Sequence, residues 1–156
     1  ADLILLTCSS ISPCADTAQP MTPVPIVKID QAMAEKAVAS GRRIGIVATA
    51  TTTLGPTSKL VAEAAEAAGK DVEIETTWCE GAHKLMLAGE MARHDEIVLG
   101  YLRRQMERSD VVMLAQGSMA RVADQIPLAE RPVPILASPR LGMERVRDIL
   151  AGMAGA

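Results

Sequence analysis

The chain has 156 residues, of which 49% are hydrophobic and 22% are charged, and its formal net charge is −3 at pH 7. This is the composition of a globular domain, and no segment has the roughly 20 consecutive apolar residues that cross a bilayer. Basic and acidic residues are interspersed, so the chain lacks the concentrated basic face that nucleic acids require. We therefore expect a soluble protein whose partner is neither a membrane nor a nucleic acid.

The cysteine and aromatic contents narrow the class of protein further. There are three cysteines, an odd number without metal-ligand spacing, and the chain shows no secretory signal. Reduced thiols in the cytoplasm are the simplest explanation. One Trp, one Tyr and no Phe leave few rings that could stack on a flat cofactor. We expect a cytoplasmic protein without a metal ion or a ring-stacking cofactor.

Short apolar runs alternate with helical patterns along the chain. Strands are predicted at residues 3–6, 26–29, 43–48, 71–75, 111–115 and 135–136, and the charged alternation at 71–75 is typical of an edge strand. Helices are predicted at residues 13–19, 30–39, 57–68, 82–108 with a break near Gly89 or His94, and 139–153. This order is typical of a parallel sheet wrapped by helices on both faces. The first strand begins so early that we expect a further segment to precede it.

Three of the predicted strands end in small residues with hydroxyl, thiol or amide groups: Thr7-Cys8-Ser9-Ser10, Thr49-Ala50-Thr51-Thr52-Thr53 and Gln116-Gly117-Ser118-Met119. Ligands of open parallel sheets bind beyond the carboxyl ends of the strands, where helix N-termini favour anions. We interpret these segments as binding loops for a carboxylate or phosphate. Helix capping and turn formation favour the same residue types, and this alternative stays open for any one loop.

Cys8 is the candidate catalytic residue. A thiol at a strand end that faces a helix N-terminus ionises more readily than a free thiol, and it can exchange a proton or attack as a nucleophile. The alternative is a buried structural cysteine. Cys79 follows the predicted edge strand and lies beside Trp78, which suggests a surface or interface role. The two histidines, His83 and His94, lie in charged helical segments and are expected to face solvent.

A wider similarity extends along nearly the whole chain. It is carried by residues 5–11 with 24–26 and 30–33, by residues 45–49 with Thr52, and by residues 114–120 and 133–140. In sequence, order and spacing these segments resemble the aspartate/glutamate/hydantoin racemase superfamily. They are similar to its first-cysteine region, its threonine-rich substrate loop, the loop that usually carries its second cysteine, and its closing strand and helix.

The resemblance implies two similar flavodoxin-like α/β lobes with the site between them, in a homo-oligomer that is often a dimer. Residues 1–40 and 110–156 would belong to the first lobe, whose N-terminal strand and helix would precede Ala1, and residues 41–109 would form the second lobe. It also implies proton transfer, without a cofactor, at the carbon next to a carboxylate of a small acid such as an amino acid or a hydantoin. Two cysteines on opposite faces of the substrate usually carry this out.

Carried over to this chain, the resemblance makes Cys8 one acid/base. The expected substrate-binding residues are Ser9, Ser10, Thr49, Thr51, Thr52, Gln116, Gly117 and Ser118. The second cysteine is absent, because Gln116 takes its place with Ser118 as a neighbour, and neither side chain exchanges a proton readily near neutral pH.

The missing cysteine leaves more than one function open. We expect an isomerase of the racemase type that acts on a small carboxylic acid. A one-cysteine decarboxylase or lyase of the same superfamily and a non-catalytic carboxylate-binding protein are the alternatives. A flavodoxin-like domain is a further one, since residues 49–57 loosely resemble a flavin-phosphate loop, but the shortage of aromatic residues disfavours it.

Overall fold

The computed structural model of the protein describes residues 1–154, so residues 155 and 156 of the predicted first lobe lie outside the described residues. Strands and helices alternate in the order β1 (Ile4–Leu6), α1 (Cys14–Ala18), β2 (Ile26–Lys28), α2 (Gln31–Ser40), β3 (Arg43–Ala48), α3 (Leu54–Ala67), β4 (Glu73–Trp78), α4 (Ala82–Leu87), α5 (Met91–Met106), β5 (Val111–Leu114), α6 (Ala120–Ala123), β6 (Ile135–Ala137) and α7 (Ser138–Ala154). Short 3₁₀ turns follow β1, β3 and β5, at Ser9–Ile11, Thr51–Thr53 and Gly117–Met119.

The strands within residues 1–154 pair in parallel and form two sheets. β1 pairs with β2 in a two-stranded sheet, and the other strands form a four-stranded sheet in the order β4-β3-β5-β6. The predicted fold class, an α/β protein with parallel sheets flanked by helices, is confirmed. β4 is an edge strand, as its alternating charges predict, although it begins and ends later in the chain than predicted.

Helices cover both faces of the four-stranded sheet. On one face, α2 and α3 pack on side chains that include Ile46 of β3 and Met113 of β5. On the other face, α5 and α6 pack on side chains that include Val47 and Leu114 of the same two strands. The two central strands are therefore buried on both sides, which explains their unbroken apolar runs. None of the helices within residues 1–154 has the length and apolar character needed to span a membrane.

The sheet does not follow the predicted division of the chain at residues 41–109. β5 pairs directly with β3, with Ile44 opposite Val111 and Val47 opposite Leu114, and β6 pairs with β5. Both strands thus lie in the same sheet as β3 and β4, whereas the prediction had placed them with β1. An apolar run identifies a strand but does not specify its neighbour in the sheet, so the sequence offered no signal for this pairing.

Gly89 causes the break that was predicted within the helical pattern of residues 82–108. Its φ of +75° is a left-handed conformation that glycine adopts without steric cost. The backbone turns there, so that α4 ends at Leu87 and α5 begins at Met91. The prediction of a break near Gly89 or His94 is confirmed at the glycine.

Candidate active site

The three predicted binding loops have the same backbone form. In each loop one extended residue, which is Cys8, Ala50 or Gln116, precedes a three-residue 3₁₀ turn. The φ angles of these residues lie between −137° and −116°, and their ψ angles lie between 113° and 128°. Cys8 and Gln116 therefore hold equivalent positions in the loops that follow β1 and β5.

The Gln116 side chain joins the loops that follow β5 and β3. Its Oε1 accepts hydrogen bonds from the Thr49 backbone N–H at 2.7 Å, the Thr49 hydroxyl at 3.0 Å and the Ala50 N–H at 3.2 Å. Thr49 is buried, with 2% of its surface exposed. The amide of Gln116 thus acts as an acceptor that holds the threonine loop in place, and its oxygen is fully occupied in doing so.

The Cys8 loop packs beside the threonine loop and is held in place by a hydrogen bond between Ser12 and Asp30. Its turn, Ser9–Ile11, contacts Thr51–Thr53 and helix α3. Ser12, which is buried, donates its hydroxyl proton to Oδ1 of Asp30 at 3.0 Å, and its Oγ also lies 3.5 Å from the Cys8 carbonyl oxygen. The shorter distance favours the bond to Asp30. This bond ties the Cys8 loop to the residue that precedes α2.

Sequence reasoning missed Ser12 and Asp30 because each stands where a predicted helix begins, a position at which Ser and Asp usually cap the helix. The Asp30 side chain makes no cap bond to α2; it is fully buried, and its Oδ2 has no hydrogen-bond partner within residues 1–154. A possible signal was present, since Ser12 and Asp30 each follow one of two successive predicted strands. Parallel strands that pair bring such residues to the same edge of the sheet.

Most of the predicted site residues are accessible. Cys8 is exposed, which excludes the alternative of a buried structural cysteine. The other accessible members are Thr51, Thr52 and Ser118, which are exposed, and Ser9, Ser10, Gln116 and Gly117, which are half-buried. Two cavities of about 580 Å³ are lined by other residues, so these loops form an open edge and not one of those cavities.

Trp78 also lies at this edge. It is the last residue of β4, and its indole N–H donates to the Thr49 carbonyl oxygen at 3.2 Å. The side chain is nevertheless 44% exposed. The contact of Trp78 with the threonine loop was not expected from the sequence.

The comparison with known proteins decides the family. The family described as Asp/Glu/Hydantoin racemase matches residues 1–146. The chain belongs to this family. The resemblance drawn from the sequence motifs is therefore confirmed, and no curated protein matches this racemase-family chain by its sequence.

Solved racemase structures share the fold. A glutamate racemase from Francisella tularensis in complex with D-glutamate superposes with a TM-score of 0.72 at 12% identity, and an allantoin racemase from Klebsiella pneumoniae with 0.69 at 20% identity. A mutant arylmalonate decarboxylase in a sulfate-associated form gives 0.59 at 16% identity. The superpositions cover 99%, 97% and 97% of this chain but 59%, 60% and 68% of the other chains. This racemase-family chain thus spans about three-fifths of the length of the racemases it matches.

Two surface assignments were wrong. Cys79 is fully buried between β3, α4 and α5. The pairing with β3 continues one residue beyond Trp78, because the Cys79 backbone N–H donates to the Ala48 carbonyl oxygen at 2.8 Å. Burial raises the pKa of the Cys79 thiol to about 12. His94 is also buried, with 3% of its surface exposed, and its Nδ1 lies 2.7 Å from Oδ1 of Asp95.

Asp95 links α5 to α6, the helix that follows the Gln116 loop. Its two carboxylate oxygens accept a pair of hydrogen bonds from Arg121, both at 2.7 Å, and one from Gln125 at 2.9 Å. These bonds, above all those from Arg121, lower the pKa of Asp95 to about 2. Within residues 1–154, the Asp, Glu, His and Cys side chains form no group of three that could hold a metal ion.

Proposed function

We propose that the chain acts as an isomerase-type enzyme of its family, in which the Cys8 thiol transfers a proton, without a cofactor, at the carbon next to a carboxylate of a small acid. The observation that carries the proposal is the position of Cys8. It is exposed at the carboxyl end of β1, and its loop packs directly against the threonine loop that follows β3. An exposed thiol and a set of hydroxyl groups therefore share one edge.

The hydroxyl groups and the start of α3 suit a carboxylate. Thr51 and Thr52 are exposed immediately before this 14-residue helix, whose free N–H groups and dipole favour an anion. Ser9 and Ser10 face the same region from the Cys8 loop, and Ser118 adds a hydroxyl from the third loop. Together these donors would hold the acid while Cys8 acts on the neighbouring carbon.

With Cys8 as the thiol that acts at this edge, the proton transfer balances in two steps. The Cys8 thiolate takes the proton, the C–H bond breaks, and its electron pair moves into the carboxylate as an enediolate. Return of the proton by the Cys8 thiol exchanges the hydrogen on one face, whereas inversion needs a proton on the opposite face, which water at the open edge would supply. Gln116 cannot supply this proton, because an amide does not ionise near neutral pH and its oxygen already accepts three hydrogen bonds.

The role of Gln116 favours a second candidate function, decarboxylation by a single thiol. A substrate with two carboxylates on one carbon would lose one as CO₂, and the electron pair of the broken C–C bond would form an enediolate with the other. The Cys8 thiol would then protonate the carbon, and its thiolate would regain a proton from water. This reaction needs no second cysteine.

One experiment separates these functions. The protein is incubated in heavy water with aspartate, glutamate, hydantoin, allantoin and phenylmalonate, and deuterium uptake and CO₂ release are followed by NMR. For at least one acid we expect either deuterium uptake without CO₂ release, as an isomerase gives, or CO₂ release with deuterium in the product, as a decarboxylase gives. The signal should be lost in Cys8→Ala and retained in Cys14→Ala, a control at another exposed cysteine. Thermal stabilisation by an acid without turnover would instead identify a carboxylate-binding protein. If no acid binds and none is turned over, the proposal is contradicted.

Three further properties stay predictions. We propose a cytoplasmic location because the thiols suit a reducing compartment. A homo-dimer and a two-lobed arrangement follow from the family resemblance. Sedimentation of the protein at several concentrations tests the dimer directly, and a single species with the mass of one chain would contradict it.

A further inference from the structure

Trp78 is an unusual residue to find exposed in this chain. It is the single Trp, beside one Tyr and no Phe. Large aromatic side chains supply much of the core in most proteins, but here this one is 44% exposed at the end of β4. An exposed aromatic side chain that is also held in place by a hydrogen bond needs an explanation.

The hydrogen bond fixes which part of the ring is exposed. The indole N–H is bonded to the Thr49 carbonyl oxygen at 3.2 Å, so the polar end of Trp78 points at the threonine loop. Thr49 in turn gives its N–H and hydroxyl to Gln116. The apolar body of the ring is thereby held beside the threonine loop, with less rotamer freedom to lose when a ligand binds.

The surroundings of Trp78 disfavour a protein docking face. The other exposed residues of β4 are Glu73, Glu75 and Thr76, and the next exposed residue along the chain is Glu80. Charged side chains on an edge strand oppose the addition of another strand. Protein interfaces usually show a larger contiguous apolar patch than a single exposed ring.

We propose that Trp78 is a specificity-determining residue whose ring contacts a flat, apolar substituent on the carbon that bears the carboxylate. The hydroxyl-rich loops recognise the carboxylate and the indole recognises the substituent, so the site would favour acids with an aromatic or cyclic group over short acyclic acids. The inference rests on the proposed function, because it assumes that the carboxylate lies against the threonine loop.

Two acids that differ only in the substituent test the inference. Phenylmalonate and methylmalonate carry the same two carboxylates, and their dissociation constants are measured by calorimetry with the wild type and with Trp78→Ala. In Trp78→Ala, loss of an aromatic contact should raise the dissociation constant of phenylmalonate roughly threefold to tenfold. The dissociation constant of methylmalonate should change less than about twofold. Trp78→Phe keeps a ring without the N–H, so it should retain most of the preference for phenylmalonate.

The fluorescence of the single Trp gives an independent measurement, with excitation at wavelengths that Tyr101 does not absorb. Phenylmalonate should change the emission with the same saturation curve as the calorimetric binding. Equal effects of Trp78→Ala on both acids, or no effect on either, would overturn the inference while leaving the proposed function intact. Binding of phenylmalonate that depends on Trp78, without exchange or CO₂ release from any acid, would support the inference and contradict the proposed function. Failure of both acids to bind the wild type would overturn the inference.

Discussion

The side-chain oxygen of Gln116 lies 2.7 Å from the backbone nitrogen of Thr49 and accepts its N–H, which ties the carboxyl end of β5 to that of β3. In the family resemblance this position usually holds a cysteine. Here it holds an acceptor that stabilises the neighbouring loop. The side chain at this position thus has a defined structural role.

Shortening Gln116 should destabilise the protein. Thr49 is buried, so Gln116→Ala leaves its N–H and hydroxyl without their acceptor, and we expect the free energy of unfolding to fall by about 1–3 kcal/mol. Urea unfolding measures this change. Ser118→Ala removes a hydroxyl from an exposed residue of the same loop and should change stability by less than about 0.5 kcal/mol. Equal stability of the two variants would contradict the role of Gln116.

Removing the Ser12 hydroxyl should loosen the Cys8 loop. Ser12→Ala takes away the hydrogen bond from the Ser12 hydroxyl to the buried Asp30 carboxylate, and we expect the free energy of unfolding to fall by about 1–3 kcal/mol. The control is Ser40→Ala, which removes an exposed hydroxyl bonded to a helix carbonyl. Faster alkylation of Cys8 in Ser12→Ala alone would show the loosening directly, whereas unchanged stability and unchanged alkylation would exclude it.

The three cysteines should differ in their reactivity with iodoacetamide. Burial raises the pKa of Cys79 to about 12, so we expect it to stay unmodified in the folded protein at pH 8, when Cys8 and Cys14 react. Peptide mass spectrometry measures each site separately, and denaturant should release Cys79. A carboxylic acid ligand should protect Cys8 and leave Cys14 unaffected. Equal protection of both would place the ligand away from the Cys8 loop.

The Asp95 ion pair should make stability depend on acid pH. Hydrogen bonds from Arg121 hold the pKa of Asp95 near 2 in the folded protein, whereas an unfolded Asp protonates near pH 4. The contribution of the Asp95 ion pair to the free energy of unfolding is therefore fully present above about pH 4 and is lost as the pH falls towards 2.

A comparison of variants isolates this contribution. Asp95→Asn should be less stable than the wild type at pH 7, and the difference should shrink between about pH 4 and pH 2 in urea unfolding. Asp124→Asn changes an exposed carboxylate and should change the free energy of unfolding only slightly. A difference for Asp95→Asn that stays constant down to pH 2 would contradict the assignment.

Much of the fold could be predicted because its signals are local. The apolar run of β3 was predicted at the residues where it lies, and the alternating charges of β4 identified an edge strand. The helix break at Gly89 followed from the presence of glycine in a helical pattern. Each of these features depends on a few consecutive residues and on their preference for one backbone form.

The candidate site was predicted less completely. The loops at Cys8, Thr49 and Gln116 were recognised because small polar residues at strand ends suit anions. Trp78 and Asp30 were not connected with them, since the contact of Trp78 with Thr49 crosses from one strand to its neighbour and that of Asp30 with Ser12 joins the ends of two paired strands. The burial of His94 could not be predicted either, because its charged neighbours on the helix suggested solvent.

Family membership, the α/β class and the absence of a cysteine from the Gln116 loop follow from the sequence alone, because each depends on short motifs and on their order. The tertiary structure decided which strands pair, so that β5 and β6 joined β3 and not β1. It also decided that Gln116 binds Thr49, a residue 67 positions away. Such contacts depend on how distant segments pack against each other, and a local pattern of residues holds no information about its distant partner.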